Sequence, residues 1–110
     1  MGTIVLEGSP TSKYPYLHKC ELVFFQCSRE SLVRERLESM VEQGLAICSS
    51  SLVHSSRRRM RGPTSVIELE AHCLLIVEYI LRSGFTISTA SRRGDSVRFV
   101  LHEYESFQVR

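Results

Sequence analysis

The sequence predicts an α+β fold of the ferredoxin-like kind. The expected architecture is a split βαβ repeat, β-α-β-β-α-β plus one C-terminal strand, with two helices on one face of an antiparallel sheet. Three observations predict it. Two stretches with helical spacing, near 29–43 and 71–83, each end at a glycine and run into an apolar segment. A strand-like segment precedes each helix at a similar offset. The chain has 110 residues, 43% apolar and 24% charged, which suits one globular domain and rules out two of ordinary size.

Residues 1–15 hold Gly2, Gly8, Ser9, Pro10, Thr11, Ser12 and Pro15, punctuation that predicts a flexible N-terminal tail with at most a short strand at Thr3–Leu6. A single domain is expected over 16–107. Its first strand spans about Leu17 to Cys27, where Leu22, Val23, Phe24 and Phe25 favour a pleated surface. The helix that follows has Ser28 as its expected N-cap, Glu30 in the first turn and Val33, Leu37, Met40 and Val41 as its apolar stripe. Arg34, Glu35, Glu38 and Glu42 fall off that stripe, and Gly44 supplies a left-handed stop. Leu45–Val53 reads as a strand and His54–Pro63 as a loop.

The second cycle opens with Ser65–Glu70, where Ile67 and Leu69 alternate with Glu68 and Glu70. Leu74, Val77 and Leu81 form the stripe of the second helix, and Gly84 ends it. Phe85, Ile87 and Thr89 start a strand, Ser91–Asp95 turns, and Val97–Glu105 returns with Val97, Phe99 and Leu101 on one side. The run Gly44-Leu45-Ala46-Ile47-Cys48-Ser49 is echoed by Gly84-Phe85-Thr86-Ile87-Ser88-Thr89, which strengthens the two-cycle reading.

The second helix has more apolar residues than one buried stripe needs: Cys73 to Val77 are consecutive, then Tyr79, Ile80 and Leu81. Either the first helix covers the surplus or a second subunit does. The surplus positions Leu75, Ile76 and Tyr79, plus an edge strand, are the expected self-association contacts.

Chemistry-bearing motifs are scarce. The sequence lacks Gly-x4-Gly-Lys, Gly-x-Gly-x2-Gly and Gly-x-Ser-x-Gly, so neither a phosphate loop nor a nucleophile elbow is expected, and no catalytic residue or cofactor is assigned. Cys20, Cys27, Cys48 and Cys73 form no Cys-x2-Cys pair, so small reduced thiols are expected rather than a metal site. His18 and Cys20 share a strand face, and His72 adjoins Cys73, so these four can meet in space. The net charge of +2 argues against a strongly basic nucleic-acid binder. The basic charge concentrates at Arg57, Arg58, Arg59 and Arg61, which suit a protein partner, an anion, an RNA backbone or nuclear import, but a solvated loop is the favoured reading because the sequence lacks an aromatic RNA-stacking motif. Arg93-Gly94-Asp95-Ser96 reads as hairpin-turn chemistry rather than an adhesion motif. Met1–Ser9 lacks the basic and apolar regions of a signal peptide, and the apolar run Cys73–Val77 is too short to span a bilayer. A cytoplasmic or nuclear location off the membrane is expected.

Three segments carry a family likeness. They are Cys20-Glu21-Leu22-Val23-Phe24-Phe25-Gln26-Cys27 leading to Ala46-Ile47-Cys48-Ser49-Ser50, Val66-Ile67-Glu68-Leu69 leading to Tyr79-Ile80-Leu81-Arg82-Ser83-Gly84-Phe85, and Val97-Arg98-Phe99-Val100-Leu101-His102-Glu103. Over 16–107 the pattern resembles the C-terminal domain of the potassium-channel tetramerisation-domain (KCTD) proteins, related in fold to the GTP cyclohydrolase feedback regulatory protein. The BTB domain of that family is not in this sequence, so its cullin recruitment does not carry over. The resemblance implies a non-enzymatic protein-binding domain that assembles into rings, often of five subunits, some of which hold G-protein βγ. The expected function is therefore an intracellular interaction and oligomerisation module, an adaptor or regulatory subunit. The alternative is an RNA-binding ferredoxin-like domain that uses the basic loop 57–61.

Overall fold

A computed structural model describes residues 2–11, 17–48 and 64–104. The described residues form β1 (Thr3–Pro10), β2 (His18–Phe25), α1 (Glu30–Glu42), β3 (Ala46–Ile47), β4 (Thr64–Ala71), α2 (Cys73–Arg82), β5 (Phe85–Arg93) and β6 (Ser96–Glu103). The strands make one antiparallel sheet in the order β3-β4-β2-β1-β6-β5. Both helices lie on one face of it, and their apolar stripes join the inward strand residues in one core.

The α+β class, the antiparallel sheet and the two-helix layer match the sequence expectation. The strand order departs from a simple ferredoxin-like sheet. That fold would set β5 directly beside β2, whereas here β1 and β6 lie between them. The cause is the N-terminal segment. Residues expected as a flexible tail instead form β1, which pairs with β2 on one side and β6 on the other. Ile4 and Leu6 point into the core with no exposed area, so burial outweighs the turn-like composition around them. Pro10 is tolerated because it ends the strand.

Helix α1 buries Val33, Leu37 and Met40 as its spacing predicts, and Arg34 as well. Arg34 was expected outside the stripe. Its guanidinium binds Glu30 at 2.8 Å and the Ser65 hydroxyl at 3.3 Å, and it lies 5.5 Å from the Phe24 ring centre. Those partners satisfy the charge that burial would otherwise strand. Ser28 does not cap α1, whose N-cap is Arg29. The Ser28 hydroxyl donates instead to Glu103 at 3.0 Å. The glycine stops hold: Gly44 and Gly84 have φ of 80° and 99°, a region costly for residues with a Cβ. Of the strand expected at Leu45–Val53, Ala46–Ile47 is paired, and residues 49–53 lie outside the described residues.

Ile76 has no exposed area, and Leu75 and Tyr79 are partly buried against the core. The apolar surplus of α2 is thus largely consumed inside one chain, where α1 and the sheet cover it. Its exposed leucines are Leu74 and Leu81. The Arg93–Ser96 segment is the β5–β6 hairpin turn, with Gly94 at φ 62°. No helix among the described residues is long and apolar enough to cross a membrane.

Candidate functional site

Two regions hold the functional candidates: the sheet face opposite the helices, and a cleft at the N-terminal end of α2. Side chains alternate along each strand, so the register determines what the open face presents. Val66, Val23, Val5 and Val100 stand opposite one another across β4, β2, β1 and β6. All four are half-buried, and among the described residues no helix lies over them. One step along the strands, Glu68, Glu21, Glu7 and Arg98 form the next row. One step the other way, Phe25, Thr3 and His102 form a third, in which Thr3 Oγ1 and His102 Nδ1 are 2.9 Å apart. Phe25 is 41% exposed.

This face is apolar along its middle and acidic on one side. Glu7 is 3.5 Å from Arg98, and no ion pair involves Glu21 or Glu68 among the described residues. Like charges placed directly opposite across strands are unfavourable. A phosphate backbone would be repelled here, and Phe25 alone makes a poor base-stacking platform. Arg57, Arg58, Arg59 and Arg61 lie outside the described residues.

The cleft lies on the helix side of the sheet, between the start of α2 and the outer half of the β5–β6 hairpin. Its volume is about 840 Å³, and His18, His72, Cys73, Leu74, Val97 and Phe99 are among its walls. The two histidine rings meet edge to face with centres 6.2 Å apart. His72 caps α2, its Nδ1 accepting the Leu74 N–H at 3.3 Å. Among the described residues, His18 Nδ1 is buried with no hydrogen-bond partner. Behind Cys73 sits Cys20, whose thiol donates to the His18 carbonyl at 3.6 Å and the Ala71 carbonyl at 3.8 Å. The four residues that the sequence allowed to meet do meet. Among the described residues, no group of three or more His, Cys, Asp or Glu is arranged to hold a metal ion.

Sequence reasoning missed the open face. Val5, Val23 and Glu7 each look unremarkable alone, and only strand pairing assembles them into rows. The available signal was the unbroken apolar run Ile4-Val5-Leu6, which marks a strand with apolar residues on both faces.

A third cluster ties the elements together. The Glu103 carboxylate accepts the Gly2 N–H at 3.0 Å, the Arg29 N–H at 2.8 Å and the Ser28 hydroxyl at 3.0 Å. Burial works to raise its pKa, but these donors outweigh that and hold it below the ordinary carboxylate value. The cluster joins the start of β1, the start of α1 and the end of β6, which is a structural role. No family model matches the chain, and no curated protein or solved structure matches it either.

Proposed function

We propose that the chain is a non-enzymatic, intracellular interaction module, an adaptor or regulatory subunit, that self-associates through its open sheet face. The observation that carries this reading is the half-buried row Val66–Val23–Val5–Val100, which no described helix covers. The occupant is a second copy of this chain. Two copies packed face to face, with a two-fold axis along the valine row, set valine on valine. The same rotation brings the Glu68–Glu21–Glu7 row of one copy over the opposite end of its partner. At that end β4 begins, with Thr64 in register with Phe25 and Arg57 to Arg61 a few residues upstream in the sequence. The contact is isologous.

The area is small. β3 pairs with β4 only at Ala71 and Glu70, so five strands cross these rows; they span roughly 19 Å across and the three rows roughly 20 Å along, so the pair covers about 800 Å², the size of a weak, transient contact. Such a contact is reversible and concentration-dependent. The split βαβ core β2-α1-β3-β4 keeps the ferredoxin-like arrangement, and the KCTD resemblance supports the same class of role. The arginine segment remains as the RNA-binding alternative, but the glutamate row disfavours RNA on the sheet itself.

Light scattering on a size-exclusion column at two protein concentrations tests this reading. Wild type is expected to gain mass with concentration, and Val23→Lys to elute as a folded monomer at both. A wild-type monomer throughout, or a Val23→Lys oligomer of unchanged mass, overturns it.

A further inference from the structure

Cys20 points into the core from β2, and its register partner on β1 is Gly8. Cys73 opens α2, directly above them. A Cβ added at Gly8 would lie 2.9 Å from Cys73 Sγ, so the bare glycine leaves the space that this sulfur occupies. The two sulfurs are therefore neighbours by construction of three elements. Both are buried, Cys73 at 1% exposure, but Cys73 borders the 840 Å³ cleft and Cys20 does not, so of the pair Cys73 lies nearer solvent.

The protonation pattern agrees with that order. The neighbouring Cys20 thiol lowers the Cys73 thiol, which also sits at the positive end of α2. Cys73 and burial push Cys20 up, and the Cys20 thiol donates to the Ala71 carbonyl at 3.8 Å, so the proton of the pair stays on Cys20. Cys27 is the poorer nucleophile. Burial, reinforced by the Glu103 charge, pushes Cys27 up to about 12, and its thiol donates to the Thr3 carbonyl at 3.3 Å. Cys48 donates to the Glu68 carbonyl at 3.4 Å and lies away from the cleft.

We propose that Cys20 and Cys73 are a peroxide-oxidised dithiol, with the α2 cleft as the entry for the oxidant. The oxidant is hydrogen peroxide. The Cys73 sulfur attacks one peroxide oxygen, the O–O bond breaks, and Cys73 becomes a sulfenic acid as the first water leaves. The Cys20 sulfur then attacks the Cys73 sulfur, the S–O bond breaks, and the hydroxyl leaves with the Cys20 proton as the second water. Two thiols lose two electrons and one peroxide gains them. The product staples the first turn of α2 to the central strand β2. A thiol reductant reverses the step. The proposal does not depend on self-association, because the pair lies on the helix side of the sheet, away from the open face.

The test uses the whole reduced chain. It is exposed to hydrogen peroxide, quenched with N-ethylmaleimide in denaturant, and read by intact mass and peptide mapping. Two of the four cysteines should resist alkylation, the protein should be two hydrogens lighter, and one linked peptide should join Cys20 to Cys73, all reversed by dithiothreitol. The double variant Cys27→Ser/Cys48→Ser should behave as wild type. Cys20→Ser should stop at a dimedone-reactive sulfenic acid on Cys73. Without peroxide, iodoacetamide should label Cys73 about tenfold faster than Cys20 in the folded wild type, a readout that needs no variant. Oxidation that appears first at Cys27 or Cys48, a linkage between two chains, or faster labelling of Cys20 overturns the proposal.

Discussion

The two faces of the sheet are built from the same strands and differ in what alternate residues meet. On the covered face, Ile4, Leu6, Leu22, Phe24, Ile67 and Leu101 are sealed by α1 and α2. On the open face, their immediate neighbours Val5, Val23, Phe25, Val66 and Val100 remain partly in water. Burial on the first face holds the fold. Apolar area left on the second is a cost to the lone chain that an interface removes. The difference separates stability from association at the resolution of single residues.

The largest expected effect breaks the covered face. Phe24→Ala should cost about 4 kcal/mol, because a fully buried aromatic leaves a cavity under α1. Phe25→Ala, one residue on and 41% exposed, should cost about 1 kcal/mol or less. Urea denaturation of the two variants measures the contrast. Equal losses would mean that the open face is covered within one chain.

Glutamates sharpen the same comparison. Glu103 belongs to the covered face and has three donors, so Glu103→Ala should cost about 3 kcal/mol by stranding the Gly2 and Arg29 amides. Its folded pKa is depressed, so its stabilisation is complete above an unfolded value of about 4.3 and is lost as pH falls through the lower folded value. Thermal denaturation between neutral and acid pH should show wild type losing its advantage over Glu103→Gln in that window. Cys27 acts at the other end of the scale. Its pKa is raised to about 12, so its contribution is full below an unfolded value of about 8.5 and declines as pH rises above it.

Periodicity revealed the covered face and hid the open one. Val33, Leu37 and Met40 on α1, and Ile67 and Leu69 on β4, were readable because local spacing alone assigns them to one side. The β1 strand was misread because glycine, serine and proline around Ile4 and Leu6 resemble a linker, and the interactions that order it come from β6, about a hundred residues away. Arg34 and Glu103 were missed for a related reason. Each looks like a solvated charge until Ser65, Phe24, Gly2 or Ser28 arrives from another element. The valine and glutamate rows exist only across strands, so no window of sequence contains them. By contrast, the meeting of His18, Cys20, His72 and Cys73 could be anticipated, because each pair is local and one strand pairing joins them.

The smallest expected effect is the most discriminating. Glu21 stands between Glu7 and Glu68, and of these neighbours only Glu7 has an ion pair among the described residues. Glu21→Gln relieves two like-charge contacts and should stabilise the isolated chain by about 0.5 kcal/mol at low salt, less as salt rises. If a second copy brings arginines to this row, the same substitution removes an attraction and weakens association. One variant therefore moves stability and association in opposite directions, and salt should shrink both changes. Denaturation at low protein concentration reads the first, and light scattering at high concentration reads the second. A gain in both would show that the glutamate row opposes self-association and that a partner other than a second copy covers the face.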